Sequence, residues 1–152
     1  MPIPIRGLFE AHLPVMFLDR ARVFYEKKLG LEEANYLEDR KVSFFWLGPE
    51  KRSMLGVWEV GTAPVSTIQH IAFDVTLEEC ERSIESLKEA GIEPLDFFGR
   101  PTDEPVVIGW MPAAMVYFKD PDGHLLEYIA VLDEPPRPAA GIVTLRQWRK
   151  SG

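Results

Sequence analysis

Apolar residues recur along the chain at two spacings, and the alternation between the two repeats. From Phe17 to Leu29 the positions Phe17, Ala21, Phe24, Tyr25 and Leu29 fall at helical spacing, with charges opposite and Gly30 as the stop. From Leu77 to Ala90 the residues Cys80, Ile84, Leu87 and Ala90 do the same, with Thr76 and Glu79 as a capping box and Gly91 as the stop. Leu29-Gly30-Leu31-Glu32 and Ala90-Gly91-Ile92-Glu93 match at an offset of 61 residues, which points to a duplication. A strand-like run precedes each helix, Leu8 to Val15 and Ile68 to Val75, and each bears a histidine, His12 and His70. Further strands are expected at 32–37, 42–47 and 54–60 in the first half, and at 93–98, 114–119 and 125–132 in the second. Each half reads strand, helix, strand, strand, strand. One short sheet with one helix leaves its other face wet, so each module needs its twin to cover it.

Turn chemistry sets the remaining boundaries. Asp120-Pro121-Asp122-Gly123 predicts a hairpin between the last two strands, because proline presets the first turn dihedral and glycine accepts positive φ. Gly99 to Pro112, with three prolines, two glycines and no steady period, is expected to be a long loop beside the sheet. The expected organisation is one domain over 1–133, with module one at about 5–60 and module two at about 66–133. A Pro-rich tail over 134–152 is expected to leave the core and to be ordered only by a partner chain.

Composition narrows the function classes. A chain of 152 residues, 46% hydrophobic, buries enough surface to need no structural metal or disulfide, so any metal is functional. The formal charge of -7 repels phosphate backbones and anionic headgroups, which argues against nucleic acid and membrane partners. Pro105 to Phe118, the most apolar uncharged run, is too short to span a bilayer and contains Gly109 and Pro112. The stretch Met1 to Arg6 does not read as a secretion signal, and the single Cys80 suits a reducing compartment. The expected location is the cytoplasm, with Cys80 packed in the core.

Only three histidines occur, and two occupy the corresponding first strand of each half. Glu127 stands in the apolar run Leu125 to Ile129, where an ionised carboxylate is costly without a partner. Taken singly, a strand histidine reads as a hydrogen-bonded core residue and a strand glutamate as solvent-facing. Taken together, two imidazoles and a carboxylate form a ligand set for Fe, Mn, Zn or Ni with positions left open for substrate. His124, just after the turn, reads as a surface residue or one that supports a ligand.

The sequence resembles the vicinal oxygen chelate superfamily, which includes glyoxalase I, fosfomycin-resistance and bleomycin-resistance proteins and extradiol dioxygenases. The resemblance covers Leu8 to Val131 and rests on an ordered set of motifs. They are Phe24-Tyr25 in a helix ending at Leu29-Gly30, His70-Ile71-Ala72-Phe73, and the run from Phe118 to Glu127. It implies an α+β fold, two βαβββ modules forming a cupped mixed β-sheet with flanking helices. It also implies one divalent metal ion on His12, His70 and Glu127. Glyoxalase I has a further glutamate on its fourth strand; matching Pro49 to Gly56 against Asp120 to Glu127 puts Gly56 there. The chain is thus closer to the three-ligand branches.

Trp46, Trp58, Trp110, Met111 and Tyr117 are candidates to line a substrate pocket, with Trp110 and Met111 favoured by their place in the irregular segment. Phe45, Phe97 and Phe98 add apolar surface. Arg100 is a candidate for neutralising a substrate anion, and Glu10 or Glu59 for a general base. The expected function is that of a metal-dependent enzyme acting on a small oxygen-chelating substrate, of glyoxalase-like lyase, fosfomycin-resistance-like or extradiol-dioxygenase type. The alternative is a metal-free protein that sequesters a small molecule, as in the bleomycin-resistance branch. A homodimer is expected from the family and the tail.

Overall fold

Residues 7–60 and 67–151 are described by a computed structural model, which divides into one unit up to Gln69 and a second from His70. In the first unit β1 (Glu10–Val15) leads into α1 (Leu18–Arg22), which continues in wider π-type turns over Val23–Lys28. The strands β2 (Glu32–Leu37), β3 (Val42–Leu47) and β4 (Ser53–Glu59) follow. The sheet order is β1-β4-β3-β2, with β1 parallel to β4 and the other pairs antiparallel. Two-residue alternation gives this sheet two unlike faces. Leu13, Val15, Phe45, Leu55 and Val57 are buried on the face where Tyr25 packs against Phe45, at 5.7 Å between ring centroids. Arg22 ties the helix to β2 through a two-pronged bond to Glu33 (2.7 and 2.9 Å), and that guanidinium holds the Glu33 carboxyl below its ordinary range. Glu10, His12, Gly56 and Trp58 lie on the opposite face.

The second unit begins with β5 (His70–Asp74) and α2 (Leu77–Glu89), whose start is fixed by the expected capping box of Thr76 and Glu79. The sheet order is β5-β8-β7-β6-β9, built from β6 (Val106–Ile108), β7 (Ala113–Lys119), β8 (Leu125–Val131) and β9 (Ile142–Thr144). β5 runs parallel to β8, and the remaining neighbours are antiparallel. The hairpin between β7 and β8 turns where the sequence places it, with Asp120 Oδ1 accepting from the backbone N–H of Asp122 (2.9 Å) and His124 (2.8 Å). Cys80 is buried under α2, and burial pushes its thiol up to about 12, so it is a packing residue. Two mixed sheets with few helices make this an α+β fold. No helix among the described residues is long and apolar enough to cross a membrane.

Expectations fail at the sheet edge and in the tail. The strand expected at 93–98 is reduced to Leu95, which bridges Tyr117 and Pro101. Beyond it, Asp96 accepts from the backbone N–H of Phe98 (2.8 Å) and Arg100 (2.9 Å) and closes a turn instead. The strand of this module is Val106–Ile108, inside the segment read as loop: a short β-branched run is paired on both sides, by β7 and β9.

The tail is the second correction, because it returns to the sheet of its own unit rather than leaving the core. β9 pairs with β6, and α3 (Leu145–Lys150) seats Trp148 at 0% exposure. The Trp148 indole N–H donates to Glu134 (3.0 Å), and the Arg137 guanidinium lies 3.3 Å from the ring centroid. Arg149 pairs with Glu81 of α2 through bonds of 2.8 and 2.9 Å. Gly109 is needed at this junction: its N–H donates to Gly141 O (2.8 Å), its carbonyl accepts from Arg137 N–H (2.8 Å), and a Cβ would collide with Arg137 O. The tail is therefore not a free arm for a partner.

Candidate metal centre

β5 and β8 bring one imidazole and one carboxylate together. His70 is offset by two residues from the rung that pairs Ala72 with Glu127, so both side chains leave the same face. His70 Nδ1–H donates to Leu125 O (3.0 Å), which leaves Nε2 with its lone pair, 3.0 Å from Glu127 Oε2. The Glu127 side chain is 5% exposed, and its Oε1 is buried without a hydrogen-bond partner. Burial raises the Glu127 pKa, against the opposing pull of His70.

This chemistry fits a divalent cation. An imidazole whose second nitrogen donates to a backbone carbonyl is the usual form of a metal-bound histidine. Two donors each about 2.0–2.2 Å from one ion stand roughly 3 Å apart when they subtend a right angle. The orphaned Oε1 is a further acceptor that a cation would satisfy.

β1 presents a different arrangement. His12 faces Gly56 across the parallel ladder, and its ring lies over that glycine: a Cβ at position 56 would stand 2.6 Å from Nδ1 and 2.7 Å from Cε1. The Trp58 indole N–H donates to Nδ1, and Nε2 meets Glu10 Oε1. Phe44 packs edge-on at 5.7 Å. The alternation of β1 puts Glu10 on the His12 face, a signal present in the sequence, whereas the approach of Trp58 from β4 is tertiary. Within neither unit do three His, Cys, Asp or Glu side chains converge among the described residues.

The remaining candidates divide. Tyr117 is buried beside His70, 6.0 Å between ring centroids, and burial, then the Glu127 charge, raises its hydroxyl pKa well above the ordinary value. Half-exposed Phe97 stands 6.2 Å from Tyr117 on its other side. Trp46 is half-buried on β3, and Trp58 is half-buried under the Arg40 guanidinium, 4.8 Å away. Trp110 and Met111 form the tip of the hairpin between β6 and β7, where Trp110 is exposed. Arg100 is held by Asp96 (3.1 Å) and lies over Phe98, so its charge serves its own turn. Glu59 caps α1, accepting from Leu18 N–H (2.8 Å), which occupies one carboxylate oxygen of that candidate base. His124 is 1% exposed, so the surface reading of it is wrong; the tight turn folds it inward.

Known proteins carry the same frame. Residues 7–128 match the model of the Glyoxalase/Bleomycin resistance protein/Dioxygenase superfamily. An integron cassette protein from the mobile metagenome of the Halifax Harbour sewage outfall is 30% identical, with a TM-score of 0.73 over 84% of this chain and 100% of that one. The fosfomycin resistance protein FosX of Listeria monocytogenes, complexed with Mn(II) and sulfate, is 27% identical, with a TM-score of 0.60 over 86% of this chain and 94% of that one. Lactoylglutathione lyase from Agrobacterium tumefaciens shares the fold at 22% identity, TM-score 0.64, over 84% of this chain and 96% of that one. With two strand–helix–strand modules on the page and a family match spanning both, the chain belongs to the Glyoxalase/Bleomycin resistance protein/Dioxygenase superfamily.

Proposed function

We propose that the protein is a divalent-metal-dependent enzyme acting on a small substrate with adjacent oxygen donors. One ion per chain is held on the His70 and Glu127 pair of the second unit. The observation that supports this is the His70–Glu127 pair, an Nε2 lone pair facing a buried carboxylate whose other oxygen has no partner. Burying the Glu127 carboxylate costs solvation energy that a bound cation would offset. The Mn(II) in the FosX relative supports the same reading. When bound, the ion supplies Lewis acidity to a substrate oxygen.

The chain's own residues do the rest. The Leu125 carbonyl fixes the His70 ring and its tautomer. Tyr117, whose hydroxyl donates to Met115 Sδ (3.3 Å), packs beside the pair. Phe97 and Tyr117 form an apolar wall at its edge. Gly56 supplies no fourth donor, so positions stay open for substrate oxygens, and glyoxalase activity is expected to be weak or absent. Family membership supports a homodimer, to which the tail, packed on its own unit, lends no arm.

The test is a panel in which the purified protein, loaded in turn with Fe(II), Mn(II), Zn(II) and Ni(II), is offered catechols, fosfomycin with thiols, and the adduct of methylglyoxal with glutathione. Turnover of a catechol or of fosfomycin is expected. Turnover of the glutathione adduct at a kcat/KM of about 10⁴ M⁻¹s⁻¹ or more would contradict the role given to Gly56.

A further inference from the structure

We propose that Phe97 is a specificity-determining residue, which receives the flat, uncharged apolar part of a substrate whose oxygens are held at the His70–Glu127 pair. This rests on the metal-dependent reading above and adds the class of group that the substrate carries beside its oxygen donors.

The second sheet sets the placement. Tyr117 pairs directly with Glu127, so both side chains leave one face. Along its other edge Tyr117 is joined to Leu95: Leu95 N–H donates to Tyr117 O (2.7 Å), and Tyr117 N–H donates to Leu95 O (3.0 Å). Leu95, Tyr117, Glu127 and Ala72 thus form one row across that face. Phe97, two residues beyond Leu95, stands edge-on to the Tyr117 ring at 6.2 Å, and the His70 ring lies 6.0 Å from the same tyrosine. A line of rings therefore leads from the imidazole to Phe97. Ala72, at the far end of the row, is small and exposed, so the row is not closed over at Glu127.

The turn that carries Phe97 is closed by its own bonds. Asp96 accepts from the backbone N–H of Phe98 and Arg100 and from Arg100 Nε (3.1 Å), and Gly99 N–H donates to Asp96 O (3.0 Å). Gly99 takes a left-handed φ of 74° to make this closure. Phe97 nonetheless stays 46% exposed, apolar surface that a ligand gains by covering. Because the turn is already ordered, a group that lands on Phe97 meets no loop-ordering cost. The turn offers no free cation either, since Arg100 is bonded to Asp96 and stacked over Phe98 at 4.9 Å. An uncharged flat group fits this surface better than an anionic one, and an edge-to-face or offset contact between rings adds to the burial.

The test uses two probes with the same chelating group, acetohydroxamate and benzohydroxamate, on the full chain loaded with Zn(II). In calorimetric titration, wild type is expected to bind benzohydroxamate at least about tenfold more tightly than acetohydroxamate, and Phe97→Ala to bind the two within about threefold of each other. The variant is expected to keep the wild-type affinity for ZnCl₂ and for acetohydroxamate. In proton NMR of wild type, nuclear Overhauser contacts are expected between the phenyl protons of benzohydroxamate and the Phe97 ring. Equal binding of the two probes or binding of neither by wild type, a preference that survives Phe97→Ala, or phenyl contacts that omit Phe97 overturns the assignment and leaves the metal reading intact. Wild type that takes up no Zn(II) overturns both. The wild-type spectrum decides the question even where the variant folds poorly.

Discussion

Replacing Trp148 with alanine is expected to destabilise the protein by about 3–5 kcal/mol, the range for removing a large buried aromatic side chain. Trp148 is fully buried on a helix that follows the last strand of the second sheet. The substitution removes its packing, its N–H bond to Glu134 and its stacking under Arg137 at once. Arg137 is itself bonded through its backbone to Gly109, in the turn between β6 and β7. Loss of the indole is therefore expected to loosen β9 and β6 as well as α3. Urea unfolding of the full chain measures this, with Trp148→Phe as the control that keeps most of the packing and loses only the N–H bond, at about 1–2 kcal/mol. A Trp148→Ala loss under 1 kcal/mol would mean that the tail contributes little to the second unit.

The second large effect is expected at Glu127, with opposite signs in the absence and presence of metal. Burial lifts the Glu127 pKa above its ordinary value of 4.5, so the folded protein holds that proton to higher pH than the unfolded chain does. Between 4.5 and the raised value the folded state binds more protons, and stability falls as pH rises through that window. Glu127→Gln carries no such charge. In protein stripped of metal, the variant is expected to gain stability over wild type progressively above pH 4.5 and to match it most closely below. With a divalent ion present the order reverses, because the amide is a far weaker donor and the ion stabilises only the chain that binds it. Thermal melting at pH 4 and pH 8, with EDTA and with excess Mn(II), reads both signs. A variant that is less stable than wild type in EDTA at pH 8 would show Glu127 to be a structural hydrogen-bonding group instead.

Features encoded by neighbouring residues are legible before the structure is known. Thr76 and Glu79 announce the start of α2 because both halves of the capping box lie within four residues, and Asp120 to Gly123 announces its hairpin for the same reason. Glu127 stands out as a carboxylate in an apolar strand, and His70 as a strand histidine. Features decided by distant partners are not legible. Val106–Ile108 is a strand because β7 and β9 hold it, and a three-residue apolar run among prolines carries no period of its own. The burial of Trp148 depends on Glu134 and Arg137, in a segment whose prolines suggest an exit from the core. At His12 the strand is legible in the sequence, but the Trp58 indole that meets its ring comes from β4, 46 residues away.

Whether His70 and Glu127 hold a divalent ion is read directly from the metal content of protein purified without chelators or an affinity metal resin, compared with Glu127→Ala prepared in the same way. One divalent ion per wild-type chain, and its loss in the variant, are the expected results. Wild type that carries no divalent metal and takes up none on titration, or a variant that retains as much as wild type, would contradict them.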